Sequence, residues 1–304
     1  MKAEIREFIK DRYGVEELES IHPVEHHYQR KNNVFCLTIK DKPYVFKIFT
    51  SRYKWENELK SQKILTELTF VPQTVDKGKL DVFYYQLMNK IPGTVLSKEW
   101  GGMSKHQRLQ IVHSVGESLG LIHSCQAFRH YGWWKKDEGF SDIVEYRSFK
   151  DSRIFSKIES ENLSKNELIS IGMEKASILR SQLKNEGSVL THRDFCQRNL
   201  LVNKKEVTGV IDYEHARPDD PVMDICTLFH SNILDEPSHI AEFKRGYCKM
   251  RPFPINFEKN EAYYLIITGL YLCSRNRKRV GSMKRGQYLI KKGLRIVEGL
   301  PICD

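Results

Sequence analysis

The sequence has no apolar run approaching the roughly 20 residues that a bilayer-spanning helix needs, so no membrane partner is expected. Its opening stretch, M-K-A-E-I-R-E-F-I-K, is charged throughout and lacks the apolar centre of a secretory signal, so a soluble, cytoplasmic protein is expected. Cysteine is sparse: seven among 304 residues, at positions 36, 125, 196, 226, 248, 273 and 303, odd in number and with no C-x-x-C pair. That scatter excludes both a disulfide framework and a cysteine-built zinc site, and reduced thiols are the default. Internal repeats and low-complexity linkers are absent too, which excludes a solenoid or a tethered array.

What is present is the composition of a globular chain, 40% hydrophobic and 29% charged, long enough for one large or two modest domains. The formal charge of +10 raises the possibility of nucleic acid as a partner. Much of that charge is local, however: Arg275 to Arg295 holds nine Lys or Arg and no acid, the composition of a solvated helix face. Nucleic acid is therefore not the expected partner. A site for polycations is generally acidic, so the basic balance also disfavours polycationic substrates.

The stretch from Val189 to Asp224 carries the chemistry. His192, Asp194 and Asn199 precede a short apolar run, Leu200 to Val202, and Asp212 closes a second one, Val207 to Ile211. The turn-like Asn203-Lys204-Lys205-Glu206 between two β-rich runs reads as a hairpin, which brings Asn199 and Asp212 to the same open end. An amide oxygen and a carboxylate there suit Mg²⁺, a hard cation that takes oxygen ligands and keeps phosphates and waters in its shell. Asp194, in the loop leading in, is left to face a second substrate. Phosphoryl transfer asks for this arrangement, with metal-bound phosphate on one side and a carboxylate that accepts a hydroxyl proton on the other.

At these residues the sequence resembles the kinases, and most closely the aminoglycoside phosphotransferase and choline kinase-like group of small-molecule kinases. H-R-D-F-C-Q-R-N matches that group's H-x-D-x-x-x-x-N, and I-D-Y-E-H-A-R-P-D-D-P-V-M-D matches its I-D followed by D-P-x-x-D. The resemblance implies that Asp194 is the catalytic residue and that Asn199 and Asp212 hold Mg²⁺, with ATP or GTP as phosphoryl donor. His192 would hold the loop together and Asp224 would brace it. Y-V-F-K-I-F looks like the kinase strand whose lysine contacts nucleotide phosphates, which points to Lys47. A glutamate on the following helix pairs with that lysine in kinases, and the spacing suggests Glu58, with Glu56 as a competitor. N-K-I-P-G resembles the linker between lobes, where main-chain groups around Asn89 and Ile91 would hold adenine.

The sequence departs from the family where a glycine-rich phosphate loop is expected. Tyr28 to Phe35 contains no glycine, which shifts the nucleotide grip towards Lys47, the metal, and Arg30 or Lys31. There is also no D-F-G, no A-P-E and no long segment between Asp212 and the helix that follows Pro221, which points to a small acceptor rather than a polypeptide.

The expected fold is α+β and bilobal, protein kinase-like. A nucleotide-binding lobe of antiparallel sheet plus helix would span residues 1–88, a hinge 89–93, and a mainly helical catalytic and acceptor-binding lobe 94–304. In finer detail, hairpins are expected at Val34–Phe49, turning at Asp41-Lys42-Pro43, and at Val71–Met88, turning at Asp76-Lys77-Gly78. The N-terminal helix is expected to stop at Gly14, and Ser104-Lys105-His106-Gln107 reads as a capping box. The expected function is transfer of the γ-phosphoryl group to a hydroxyl of a small molecule, an antibiotic such as an aminoglycoside or macrolide, or a metabolite. A protein kinase-like enzyme and a catalytically inactive nucleotide-binding regulator are the alternatives.

Overall fold

The computed structural model describes residues 2–13, 20–23, 33–134, 138–229, 233–234, 236–275 and 280–299. Gly14 and residues 28–32, including Arg30 and Lys31, lie outside them. The chain forms two compact units, Met1–Ile111 with Gln197–Ala216, and Val112–Cys196 with Arg217–Asp304.

In the first unit, helix α1 (Lys2–Tyr13) precedes strands β1 (Ser20–Pro23), β2 (Asn33–Ile39) and β3 (Lys42–Phe49). Helix α2 (Arg52–Ile64) and strands β4 (Thr74–Leu80) and β5 (Phe83–Asn89) follow. The five strands make one antiparallel sheet in the order β1-β2-β3-β5-β4. Alternation places Phe35, Leu37 and Ile39 of β2 and Phe46 and Ile48 of β3 in one cluster with Ile5 and Ile9 of α1. Phe8 joins them, its ring 5.0 Å from Tyr85 and 6.2 Å from Phe46. The residues of β3 between these, Lys47 and Phe49, are buried as well, so both faces of the strand are covered.

Both expected hairpins form, but their turns lie elsewhere. The first turns at Lys40-Asp41, with φ of 49° and 60°, so that Ile39 faces Lys42 and Pro43 lies inside β3. The second turns at Asp81-Val82, where Asp81 has φ 55° and Leu80 faces Phe83. Gly78 is a strand residue instead: a Cβ there would stand 2.9 Å from the Tyr85 ring, so the glycine makes room for an aromatic neighbour.

Strand β6 (Thr94–Val95) pairs with β9 (Leu200–Asn203), which forms the catalytic-loop hairpin with β10 (Glu206–Val210). This pairing groups the hairpin with the first unit, whose boundaries therefore differ from a cut at residues 89–93. Helix α3 (Leu96–Glu99) and a 3₁₀ turn, Trp100–Gly102, lead to α4 (Lys105–Cys125). Its capping box is present: Ser104 N–H donates to Gln107 Oε1 at 2.9 Å, and Gln107 N–H to Ser104 Oγ at 3.3 Å.

The second unit is mainly helical. Strand β7 (Ala127–Phe128), helices α5 (Ile143–Ser160) and α6 (Glu167–Ser181), and strands β8 (Ser188–Thr191) and β11 (Arg217–Asp219) are followed by α7 (Val222–Phe229), α8 (Pro237–Met250), α9 (Phe257–Ser274) and α10 (Val280–Val297). The strands form a small antiparallel sheet, β11-β8-β7. Helix α9 is buried nearly all round and packs against α5, α6, α7 and α10. Among the described residues no helix is long and apolar enough to cross a membrane.

Helices α4 and α8 meet backbone to backbone through Gly116 and Gly246. A Cβ on Gly246 would lie 2.1 Å from the His113 carbonyl oxygen, which no side-chain rotation relieves. Gly246→Ala is expected to cost about 1–3 kcal/mol of stability through overpacking. Urea unfolding monitored by circular dichroism checks this, and a wild-type midpoint would show that the helices do not pack at this distance.

Candidate active site

Lys47 is the centre of the first unit's polar interior. Its ammonium donates to Glu58 Oε2 at 2.6 Å and to Asp212 Oδ1 at 2.6 Å, and Glu214 Oε2 lies 3.7 Å away. The choice between the two helix glutamates is settled by burial: Glu58 is 2% exposed, whereas Glu56 pairs with the exposed Arg52 across one helical turn. Burial opposes the charge on Lys47, but Asp212, Glu58 and Glu214 together outweigh it and raise the pKa above the ordinary lysine value. Burial, against the pull of Lys47, pushes Glu58 up to about 7.

The hairpin delivers Asp212 to this cluster. Leu200 faces Val210, and Ile211 N–H donates to the Asn199 carbonyl at 3.0 Å, so Asn199 and Asp212 both stand at the hairpin's open end. A bulge between Val207 and Gly209 shifts the register, and Asp212 then turns left-handed at φ 72°, a conformation an aspartate tolerates better than most residues. The next residues form a 3₁₀ turn, Tyr213–His215, tied to α2 by Asn57 Nδ2 donating to the Glu214 carbonyl at 3.0 Å. Glu214 also takes an ion pair from Lys54. Sequence reasoning assigned no role to Glu214. Its signal is a second carboxylate two residues after Asp212, meaningful only once the tight turn is known.

Three carboxyl groups, Glu58, Asp212 and Glu214, thus meet two ammonium groups, Lys47 and Lys54. Among the described residues no three His, Cys, Asp or Glu side chains converge as a metal cage, so a cation here would complete its shell with phosphate and water. The amide oxygen of Asn199 and the carboxylate of Asp212 are donors of the kind that fit Mg²⁺ on those terms. The Asp212 side chain retains 30% exposure, which leaves it approachable.

Asp194 belongs to the second unit, in the loop after β8, where its Oδ1 lies 3.8 Å from Cys196 Sγ. Asp224 of α7, fully buried, fastens this loop by accepting from the backbone N–H groups of His192 at 2.6 Å and Arg193 at 2.7 Å. The expected brace is therefore a carboxylate holding main chain. His123 Nε2 lies 3.2 Å from the same carboxylate, and its other ring nitrogen lies 2.9 Å from the Tyr247 hydroxyl. His192 is fully buried, with Nδ1 3.3 Å from Asp194 N.

At the expected hinge, Asn89 N–H donates to the Gln73 carbonyl at 3.2 Å, and Asn89 Oδ1 accepts from Gln73 N–H at 2.5 Å. The Asn89 amide is thus occupied in fixing the edge of the sheet. Ile91 is 8% exposed, and Gly93, at φ 134°, closes the turn.

Asp220 precedes Pro221 as the cap of α7, its Oδ1 accepting from Val222 N–H at 2.9 Å while Oδ2 accepts from the Tyr264 hydroxyl at 2.5 Å. Burial pushes it up to about 7, as it does Glu58 and Glu261. Each of these groups holds its proton to higher pH in the folded than in the unfolded chain. Stability therefore falls as pH rises from the ordinary carboxylate range, about 4, through 7. Asp220→Asn removes one such proton and is expected to flatten that slope by up to about 1.4 kcal/mol per pH unit. Urea midpoints at several pH values across the window test it, and a slope equal to the wild type's would show that Asp220 does not titrate there.

Three comparisons bear on this geometry. The family model described as "Phosphotransferase enzyme family" matches residues 26–257. An aminoglycoside 3'-phosphotransferase of Streptomyces fradiae is 23% identical over 214 residues, covering 64% of this chain and 72% of that protein. A solved aminoglycoside phosphotransferase APH(4)-Ia, in ternary complex with AMP-PNP and hygromycin B, superimposes with a TM-score of 0.74 at 13% identity, over 97% of this chain and 99% of that one. Spectinomycin phosphotransferase APH(9)-Ia, in complex with ADP and spectinomycin, gives a TM-score of 0.68 at 15% identity, over 97% and 98%. These structural likenesses establish the kinase-like fold. With most of its length matched by the family model, the chain belongs to the phosphotransferase enzyme family, the aminoglycoside phosphotransferase-like small-molecule kinases that its catalytic-loop motif resembles.

Proposed function

We propose that the protein transfers the γ-phosphoryl group of ATP or GTP to a hydroxyl of a small acceptor. The observation that carries this reading is the buried Lys47 ammonium, shared between Glu58 and Asp212 at 2.6 Å each, beside the hairpin end where Asn199 stands. Two of the similar solved proteins hold nucleotides, the analogue AMP-PNP in one and ADP in the other, which supports a nucleotide donor here.

Phosphoryl transfer needs little covalent help from the protein, so catalysis is mainly positioning and charge neutralisation. Lys47 would pair with the α- and β-phosphates, held in place by Glu58. Asn199 and Asp212 would hold Mg²⁺, which neutralises charge on the phosphate oxygens. Adenine or guanine would lie against the Asn89 carbonyl and the Ile91 main chain, since Asn89 N–H already serves Gln73. Asp194 would orient the acceptor hydroxyl and take its proton as the new oxygen–phosphorus bond forms. The bond from the γ-phosphorus to the bridging oxygen breaks, and the nucleoside diphosphate leaves.

A polypeptide acceptor is disfavoured because only residues 213–221 separate Asp212 from α7, and a 3₁₀ turn and strand β11 occupy most of them. Cytoplasmic location follows from the intracellular supply of nucleoside triphosphate. An antibiotic and a metabolite both remain within the acceptor class.

Asp194→Asn is expected to lower turnover by about 10²–10⁴-fold, the usual worth of a positioned acid–base group, while nucleotide affinity stays near wild type. A screen of hydroxyl acceptors scored by nucleoside diphosphate release, with nucleotide affinity measured alongside, decides it. Full activity in the variant would remove Asp194 as the base.

Asp212→Asn should act on the other substrate and abolish Mg²⁺-dependent nucleotide binding. Titration of ADP with and without Mg²⁺ reads this directly, and metal-dependent affinity that survives the change would sink the ligand assignment.

A further inference from the structure

The Glu214 carboxylate stands between two ammonium groups and is shared unequally between them. Its Oε1 accepts from Lys54 Nζ, while its Oε2 lies 3.7 Å from Lys47 Nζ, too far for a hydrogen bond. His215 Nε2 also lies 3.3 Å from that Oε1 and 3.5 Å from Lys54 Nζ. Lys47 keeps its two close contacts for Glu58 and Asp212, at 2.6 Å each.

Helix α2 holds Glu214 at both ends. Lys54 takes the carboxylate, and Asn57, fully buried, donates from Nδ2 to the Glu214 carbonyl at 3.0 Å. Glu58, the next residue, meets Lys47. Positions 54, 57 and 58 share one side of a helix, so one face of α2 serves all three contacts. The grip of Asn57 on the main chain does not involve Lys54. Loss of the Lys54 cation therefore releases the Glu214 side chain and not the turn that carries it.

The Glu214 side chain is only 10% exposed, and a carboxylate in such a place needs a cation close by. Lys47 Nζ, at 3.7 Å, is within a small rotation of direct contact. A third carboxylate closing on Lys47 would occupy the ammonium that phosphate oxygens are to meet, and its charge would repel them.

We propose that Lys54 is a positioning residue of the phosphate site: it holds the Glu214 carboxylate off Lys47 and so keeps that ammonium open to the α- and β-phosphates. Lys54 acts through Glu214 and touches no phosphate itself. The role rests on the phosphotransfer reading for the phosphates alone; the hold on Glu214 stands on the contacts of the free protein.

A crystal structure of Lys54→Met tests that hold without any nucleotide. Glu214 Oε2 is expected to close from 3.7 Å to direct contact with Lys47 Nζ, about 2.8 Å. A carboxylate that stays at its present distance, or that turns away to solvent, overturns the proposal.

Calorimetric titration of the full chain with ADP and Mg²⁺ reads the consequence as a double-mutant cycle. Lys54→Met is expected to weaken ADP binding about tenfold where Glu214 is present, and by less than about twofold in the Glu214→Gln background. Lys54→Arg should keep wild-type affinity. A merely structural lysine would cost the same in both backgrounds, and that result overturns the proposal, as does wild-type affinity in Lys54→Met. The same cycle run with Lys54→Gln, which keeps a polar end at the site, serves if Lys54→Met does not fold. Closure of Glu214 on Lys47 in a protein whose wild type binds no ADP would count against the nucleotide reading while upholding the hold on Glu214. ADP binding that ignores Lys54 would leave the nucleotide reading standing and remove the role given to this lysine.

Discussion

An ammonium taken out of water must find compensating negative charge, and in the first unit that requirement ties separate parts of the chain to one atom. Lys47 Nζ sits on β3, Glu58 on α2, and Asp212 and Glu214 just after the hairpin. Removing any one carboxylate leaves the lysine less neutralised in a place where an unpaired charge is strongly destabilising. The same requirement explains the polar face of α2. Its buried residues are Asn57, Glu58, Ser61 and Gln62, and they meet the sheet through hydrogen bonds such as Gln86 Nε2 to Gln62 Oε1 at 2.6 Å. The other face of the sheet is apolar and is covered by α1. One face therefore supplies hydrophobic stabilisation and the other is left for charge.

The second unit solves a different problem, that of holding a loop with no regular hydrogen-bond ladder. Asp224 donates nothing and accepts from two successive backbone amides, so the residues before Asp194 are pinned by main chain rather than by side-chain packing. Asp224 stands in the first turn of α7, where the helix dipole also favours an anion. His123 and Tyr247 close the network behind it. Such a network fixes geometry because each buried polar group has a partner and any rotation leaves one unsatisfied.

The sequence made legible what is encoded locally. The alternation in β2, the Ser104 capping box and the hairpin that carries Asn199 and Asp212 each depend on residues near one another in the chain, and each forms as the spacing implies. The turns were harder to place. Pro43 and Gly78 looked like turn residues, yet the left-handed positions fell on Lys40, Asp41 and Asp81, and positive φ in a non-glycine residue leaves little mark on composition. The choice between Glu58 and Glu56 could not be made from helical spacing alone, because it depends on which face meets β3. Glu214 and Asp219 were passed over for the same reason: a carboxylate beside a motif gains meaning only from the cations that tertiary structure brings to it.

Those two carboxylates show how the chain distributes charge. Around Lys47, carboxyl groups from α2 and from the residues after the hairpin gather on one buried ammonium. Around Asp219 one buried carboxylate is saturated by four donors, from Arg147, Arg193, Tyr146 and the Asp220 N–H. In both places charge is met by opposite charge within one unit, a local pairing that the overall charge of +10 does not reveal.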